Sequence, residues 1–256
     1  MARQEGVLLD GALFCIAIMT FLTAHEMGHY LACRKYKIDA TLPYFIPFPS
    51  LFGTMGAFIK IKSPITSRKA LFDIGAAGPI AGFVIMIPWM YFGINWSSMT
   101  PAIETGSKLY LGEPLITRLI FSAAGLTIPA GYEISAHPVF IAAWFGAIAT
   151  AINLIPVGQL DGGHIVYSIF TRRAENIYKL AFGITAGIAL FAALFEDYPG
   201  WIVWLILVYF LMRKGHPPTM NDRGKLGPWR IAVALFSLVI FILTFMPVPI
   251  RMGDLL

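Results

Sequence analysis

Long apolar stretches recur along the whole 256-residue sequence, and they constrain its fold more than any other feature. Crossing a bilayer core of about 30 Å takes roughly 17 to 25 helical residues, and six stretches reach or approach that length. Charged residues make up 13% of the chain and hydrophobic residues 57%, whereas soluble proteins average about 25% and about 45–50%. We therefore predict an all-α polytopic membrane protein. The predicted spans are about 7–31, 71–93, 138–157, 178–195, 200–212 and 230–248.

Basic residues are distributed unevenly between the segments that join the predicted spans. With the amino terminus outside, fifteen of the 19 lysines and arginines lie on the inner side, and the exceptions are Arg3, Lys108, Arg118 and Arg251. Because Lys and Arg collect on the cytoplasmic side, this distribution favours that orientation. The net charge of +5 is thus a topology signal, and the lipid bilayer rather than nucleic acid is the expected partner. The predicted location is a bacterial-type inner membrane.

The inner end of the first predicted span carries the sequence His25-Glu26-Met27-Gly28-His29. Residues i and i+4 share one face of a helix, so both imidazoles can bind a single zinc ion. The glutamate between them can act as a general base toward water at the metal. A pair of helix-packing histidines is the alternative, but ionisable groups inside a membrane helix are costly unless they are used.

A catalytic zinc ion needs a third protein ligand, and Asp161 is the candidate. It follows the third predicted span, where Pro156 and two glycines interrupt the apolar sequence and allow an inward-facing carboxylate. His29 and Asp161 both lie roughly one to three helical turns from basic residues of the inner surface, so their depths agree. Capping of a helix that continues to Phe170 is the alternative role, and the two roles are compatible.

Three further side chains near these motifs have roles that the sequence leaves open. Cys33 lies one turn after His29 on the same helix face as the two histidines. It is either a further zinc ligand or a small packing residue. His164 could orient Asp161, replace it as a ligand, or do neither. Asp73 begins the second span beside basic residues, so capping of that helix is expected rather than a fourth bond to the metal.

Two motifs together resemble the site-2 protease family of intramembrane zinc metalloproteases. The first is H-E-x-x-H, and the second, over 120 residues later, is N-x-x-P-x-x-x-L-D-G-G. The resemblance also covers the stretches 53–62 and 76–79, hence most of residues 10–170. It implies one zinc ion per chain and roles for five residues: metal ligands His25, His29 and Asp161, catalytic base Glu26, and Asn153 near the substrate.

The resemblance further implies an intramembrane protease. Its reaction would be hydrolysis of peptide bonds in or near the transmembrane helices of a single-span or other membrane-protein substrate, as in regulated intramembrane proteolysis. The active site would lie near the cytoplasmic face. Residues 1–172 would form a catalytic core around the first three spans, and residues 173–256 an accessory bundle. The substrate, any prior cleavage and the oligomeric state stay undetermined.

Two stretches of the predicted core have their own local signals. A short re-entrant β-like segment is predicted over about 43–62, because three prolines and a glycine exclude a continuous helix and 56–62 alternates in hydropathy. Small residues spaced by three and four predict close helix approach on the second span: Gly75, Gly78 and Gly82.

Two other classes of protein carry similar motifs. Another class of membrane zinc protease uses a later glutamate as third ligand, but the later acids Glu175, Glu196 and Asp197 lack the required helical context. A zinc-binding membrane transporter or sensor without hydrolysis is the non-enzymatic alternative. Such a protein has no need of Glu26, so the presence of this residue argues against it.

Overall fold

The computed structural model describes residues 2–47, 54–102, 108–196, 198–213 and 219–253, and helices dominate it. The helices are α1 (Ala2–Lys35), α2 (Arg68–Trp96), α3 (Leu115–Ala123), α4 (Pro138–Leu154), α5 (Asp161–Phe170), α6 (Ala174–Phe195), α7 (Gly200–Arg213) and α8 (Pro228–Thr244). The strands are β1 (Tyr44–Pro47), β2 (Thr54–Phe58), β3 (Ser98–Pro101), β4 (Lys108–Leu111), β5 (Tyr132–Ser135) and β6 (Ile250–Gly253). Each predicted span overlaps one helix, namely α1, α2, α4, α6, α7 or α8.

Three helical stretches of the described residues are long and apolar enough to cross a membrane. They are Gly6–Lys35, Arg68–Trp96 and Asp161–Phe195, the last of which joins α5 to α6 through a 3₁₀ turn. The helices Pro138–Leu154, Gly200–Phe210 and Pro228–Thr244 are apolar but shorter. The described part of the chain is therefore mostly helical and has three candidate membrane-spanning helices, and the count of six spans stays a prediction.

Local sequence signals determine where the central helices begin and end. Ser67 caps α2, because its side chain accepts a hydrogen bond from the backbone N–H of Ala70. Asp73 lies in the second turn of this helix, so the expectation that it caps α2 is wrong. α4 ends just before Ile155, whose ψ of 125° lies outside the helical region, in agreement with the bias that the following Pro156 imposes against that region.

α1, α2 and α4 pack against one another and form the centre of the molecule, with α5 and α8 packed against α2. Their shared apolar core includes Phe21, Phe83 and Trp144. α1 and α2 approach so closely that a Cβ at Gly28 would overlap the carbonyl of Ala77. α8 also contributes to this core, although the predicted division assigns it to the accessory bundle. That division, between residues 1–172 and 173–256, stays a prediction.

Short antiparallel strand pairs accompany the helices in the described residues. The β1–β2 hairpin lies within the predicted β-like segment 43–62, with Tyr44 opposite Phe58. Residues 48–53 of that segment lie outside the described residues, and its re-entrant course stays a prediction. β3 and β5 both lie in the connection between α2 and α4, and they pair with each other. β4 lies in the same connection and pairs with β6, which follows α8. These two pairs have no counterpart in the predicted all-α fold.

Candidate metal centre

The two histidines of the H-E-x-x-H motif lie on α1 where this helix faces α2. His25 and His29 are one turn apart, their ring centroids are separated by 4.9 Å, and both side chains are buried. Burying an unpaired polar group costs free energy, so two buried imidazoles need polar neighbours. α2, α4 and α5 supply them.

Asp161 supplies a carboxylate that faces both histidines. Its Oδ2 atom lies 3.3 Å from His25 Nε2 and 3.4 Å from His29 Nε2. Asp161 is the first residue of α5 and does not occupy the N-cap position, so the alternative role as a helix cap is wrong. The loop before it is compact, and a Cβ at Gly162 would overlap the carbonyl of Leu154.

The three side chains fit a zinc site in chemistry and in spacing. Two imidazole nitrogens and a carboxylate oxygen are zinc donors, and these atoms lie within 4.8 Å of one another. Donors in a tetrahedron with metal–ligand distances of about 2.0–2.1 Å are about 3.3 Å apart. The two nitrogen–oxygen distances, 3.3 and 3.4 Å, match that spacing. Three protein ligands are also the number typical of catalytic zinc.

α2 holds the ring of His29 in one orientation. The Nδ1 atom lies 2.8 Å from the carbonyl oxygen of Ile74, and a carbonyl only accepts, so Nδ1 donates. Nε2 is then left as the metal-binding nitrogen. The ring packs directly against Gly78, where an added Cβ would overlap Nε2. A glycine at this position is what allows the imidazole to lie there.

His25 has different neighbours. Its Nε2 atom lies 3.4 Å from Nδ2 of Asn153 on α4, whereas its Nδ1 atom is buried and has no hydrogen-bond partner among the residues that the structure describes. Gly82 of α2 lies beside that Nδ1 atom and has no side chain to offer it. The structure thus brings Asn153, predicted to lie near the substrate, to the same side of the imidazole as Asp161.

Glu26 lies between the two histidines on α1, and its side chain is buried. Its electrostatic neighbours are both histidines and Asp161, and the backbone of Ile59 lies within hydrogen-bonding reach of its carboxylate. Ile59 directly follows β2, so the β1–β2 hairpin lies beside the glutamate. The predicted base and the predicted β-like segment are therefore close to the cluster of possible metal ligands.

Cys33 and His164 lie outside this cluster, which the described residues form from two histidines and one aspartate. Cys33 is fully buried among apolar side chains that include Ala70 and Ile74, as expected for a packing residue. His164 packs its Cβ atom against Gly75 of α2.

Asp73, considered above as a cap or a fourth ligand, pairs with Arg230 of α8. The Nε and Nη2 atoms of Arg230 donate to the two carboxylate oxygens at 2.8 and 3.0 Å. The hydroxyl of Tyr36 donates to Asp73 Oδ2 at 2.5 Å, and Lys35 Nζ donates to the same oxygen at 3.3 Å. Burial raises the pKa of Tyr36 and the bond to Asp73 raises it further, so the phenol keeps its proton.

Two groups that shape this region were missed from the sequence. The role of the Ile74 carbonyl cannot be predicted from residue types, because every residue carries a backbone carbonyl. Arg230 entered the sequence analysis only as one of the basic residues on the inner side. The small-residue spacing that includes Gly78 did predict close helix approach. It did not indicate that the neighbour would be a histidine ring.

The family model for peptidase family M50 matches residues 13–194. Proteins similar to this chain include the chloroplastic probable zinc metalloprotease EGY1 of Arabidopsis thaliana, 31% identical over 94% of this chain and 44% of the relative. EGY2 of the same species, also a chloroplastic probable zinc metalloprotease, is 30% identical over 95% of this chain and 43% of the relative. A third, EGY3 of Oryza sativa subsp. indica, is 21% identical over 90% and 41%. The chain spans less than half the length of these curated relatives.

Proposed function

The chain belongs to peptidase family M50, the site-2 protease family of zinc metalloproteases, and we propose that it hydrolyses peptide bonds in or near transmembrane helices of membrane-protein substrates. One observation carries the proposal. Asp161 Oδ2 lies 3.3 and 3.4 Å from the Nε2 atoms of His25 and His29, beside the buried Glu26. Two histidines, one carboxylate ligand and a separate glutamate are the parts that metal-assisted hydrolysis needs.

Four residues take defined roles in this reaction. His25, His29 and Asp161 would hold one zinc ion per chain, because their donor atoms form the cluster that fits a metal ion. Bound zinc would polarise the scissile carbonyl and acidify the attacking water. Glu26 would take a proton from the attacking water as general base while the water oxygen bonds to the scissile carbonyl carbon. It would then give this proton to the amine nitrogen as the carbon–nitrogen bond breaks. The Glu26 side chain is buried beside the proposed ligands, so its carboxylate lies close to the proposed site of reaction. This position supports its role as the base.

Asn153 is proposed to bind the substrate carbonyl oxygen. Its Nδ2 atom lies 3.4 Å from His25 Nε2, on the side of the ring where the proposed metal ligands meet. A donor held at this place stabilises the negative charge that develops on the oxygen during attack.

The substrate must be extended at the cleaved bond, because a helical carbonyl is already bonded to the N–H four residues on. The β1–β2 hairpin lies beside Glu26 and forms a sheet of two strands within the described residues. We propose that unwound substrate adds to this hairpin as a further strand. Helix-weakening residues near the scissile bond are therefore expected in substrates.

The proposed membrane arrangement has six spans, formed by α1, α2, α4, α6, α7 and α8, with the amino terminus outside. The excess of Lys and Arg in the segments that would then face the cytoplasm supports this orientation. The zinc site, toward the carboxyl end of α1, would lie near the cytoplasmic face. A bacterial-type inner membrane is our proposal for the location, while the relatives named above are chloroplastic proteins.

Zinc content and proteolysis of the purified protein in detergent test the proposed function. The substrate is a single-span test protein with glycine in its membrane helix. We expect one zinc ion per wild-type chain, loss of zinc in Asp161→Ala, and retained zinc with cleavage reduced about 10²–10⁴-fold in Glu26→Gln. Glu175→Gln is the matched control, because this exposed glutamate of α6 pairs only with Lys179 among the ion pairs described.

The same variants separate the protease from the non-enzymatic alternative. Cleavage by Glu26→Gln at the wild-type rate would contradict the proposed mechanism. Zinc binding that depends on Asp161, without Glu26-dependent cleavage of any test substrate, would favour a metal-binding transporter or sensor.

A further inference from the structure

Arg230 of α8 is linked to His29 by a short series of contacts, although the family match ends at residue 194. Arg230 is buried and forms a two-bond ion pair with Asp73 of α2. The carbonyl of the next residue, Ile74, accepts a hydrogen bond from His29 Nδ1 at 2.8 Å. We propose that Arg230 is a positioning residue that orients His29 for metal binding, acting through Asp73 and Ile74. The inference rests on the proposed role of His29 as a ligand.

The same group of side chains also ties α2 to α1. Tyr36 is the residue directly after α1 and follows His29 by seven positions in the sequence. Its hydroxyl donates to Asp73 Oδ2 and accepts a hydrogen bond from Arg230 Nη2 at 2.9 Å. The three side chains therefore join α1, α2 and α8 at one place. A shift of α2 along α1 that moves Ile74 away from His29 therefore also breaks these bonds.

The first turns of α2 need such a restraint because the helix is interrupted. Pro79 lies inside α2 and has no N–H, so the carbonyl of Gly75 loses its usual helical hydrogen bond. Helices bend most readily at proline. A bend at Pro79 would swing the segment that carries Asp73 and Ile74, and the pair with Arg230 opposes that motion from α8.

The guanidinium of Arg230 is itself held in place. Its Nη1 atom donates to the carbonyl of Leu226 at 2.9 Å, and its Cζ atom lies 4.3 Å from the ring centre of Trp229. A planar guanidinium with two bonds to one carboxylate fixes the direction of that carboxylate as well as its distance. A lysine ammonium preserves the charge but not this geometry, so the two side chains should differ in effect.

Binding of Zn²⁺ alone, and the visible absorption of Co²⁺ bound in its place, test the proposal without any substrate. Arg230→Gln should weaken Zn²⁺ binding about 10-fold, as loss of groups that orient a metal ligand typically does, and should change the Co²⁺ bands. Arg230→Lys should give an intermediate affinity. Exchange of the charges in the double variant Asp73→Arg/Arg230→Asp should recover part of the loss in Arg230→Gln.

Arg68→Gln is the matched control, since it removes an arginine with comparable bonding at the same end of α2. Arg68 donates to the backbone carbonyls of Ser168, Ile169 and Asp222, and none of these bonds leads to Asp73. We expect this variant to lower the melting temperature while Zn²⁺ affinity and the Co²⁺ spectrum stay as in the wild type.

The proposal is overturned if Arg230→Gln melts at a lower temperature but binds Zn²⁺ and Co²⁺ as the wild type does, because Arg230 would then act on stability alone. Should Arg230→Gln fail to fold, Arg230→Lys decides, and a wild-type affinity and spectrum overturns the proposal. His29→Ala tests the proposed metal ligand separately from the role of Arg230. Wild-type Zn²⁺ binding in that variant would refute the proposed ligand set, and with it the premise of this inference.

Discussion

Replacement of Gly78 by alanine tests whether the close contact between α2 and His29 controls metal binding. A Cβ atom at position 78 would overlap the imidazole at Nε2, Cε1 and Cδ2. The ring is buried and bonded through Nδ1 to the Ile74 carbonyl at 2.8 Å, so it can yield only by breaking that bond or by separating the two helices. Either movement displaces Nε2 from its place 3.4 Å from Asp161.

Opposing contributions determine the size of the effect. Alanine is favoured over glycine inside a helix by about 1 kcal/mol. Overpacking costs about 1–3 kcal/mol, and loss of the His29 hydrogen bond adds about 0.5–1.5 kcal/mol. We therefore expect a net loss of about 0.5–3.5 kcal/mol in the free energy of unfolding of the metal-free protein. Misalignment of one ligand should weaken Zn²⁺ binding about 10- to 100-fold, which corresponds to about 1.4–2.7 kcal/mol.

The assay is competition for Zn²⁺ against a chelating dye, together with denaturant unfolding of the metal-free protein in detergent. Gly187→Ala in α6 is the matched control, because a Cβ there would meet no atom of the described residues within 4 Å. It should leave Zn²⁺ affinity unchanged and stability equal or slightly higher. Wild-type Zn²⁺ affinity in Gly78→Ala would refute the reasoning, since it would mean that the ring need not lie against α2.

Four further predictions follow from the same region. Tyr178→Phe removes the hydroxyl that donates to the buried Gly163 carbonyl at 2.8 Å, and should lower the free energy of unfolding by about 1–3 kcal/mol; unchanged denaturant unfolding would contradict this. Asn153→Ala should keep zinc and lower kcat about 10²–10³-fold in a cleavage assay, whereas loss of zinc would indicate a role in metal binding instead. After removal of zinc by a chelator, Zn²⁺ at 100 times its Kd should raise the free energy of unfolding by about 2.7 kcal/mol, and Asp161→Ala should show no such gain. Replacing a glycine near the scissile bond of the test substrate by leucine should slow cleavage, and an equal rate would count against local unwinding.

Much of the helical fold was predictable, because the length of an apolar stretch is read directly from neighbouring residues. Each of the six predicted spans overlaps a helix, although α1 and α2 extend beyond the predicted ends. The strand pairs β3–β5 and β4–β6 were not predicted. In the latter, Tyr110 lies opposite Arg251, and such pairing depends on distant segments whose own four-residue patterns are weak.

The candidate site combines local and distant information. The spacing of His25 and His29 alone puts both rings on one face of a helix. Asp161 could be assigned only by joining two motifs far apart in the chain, and the structure brings its carboxylate to 3.3 Å from His25. The interpretation of Asp73 as a helix cap was wrong, because a position beside basic residues in sequence does not reveal its partner on α8.

The sequence by itself determined that this is a helical membrane chain with two histidines and a glutamate on one helix, since hydropathy and helical period are read from neighbouring residues. Tertiary structure alone decided which backbone carbonyl orients His29 and which arginine pairs with Asp73. Both depend on the rotation and displacement of α2 relative to α1 and α8. Those quantities come from the packing of glycines against a ring and a carbonyl, which no pattern along a single helix specifies.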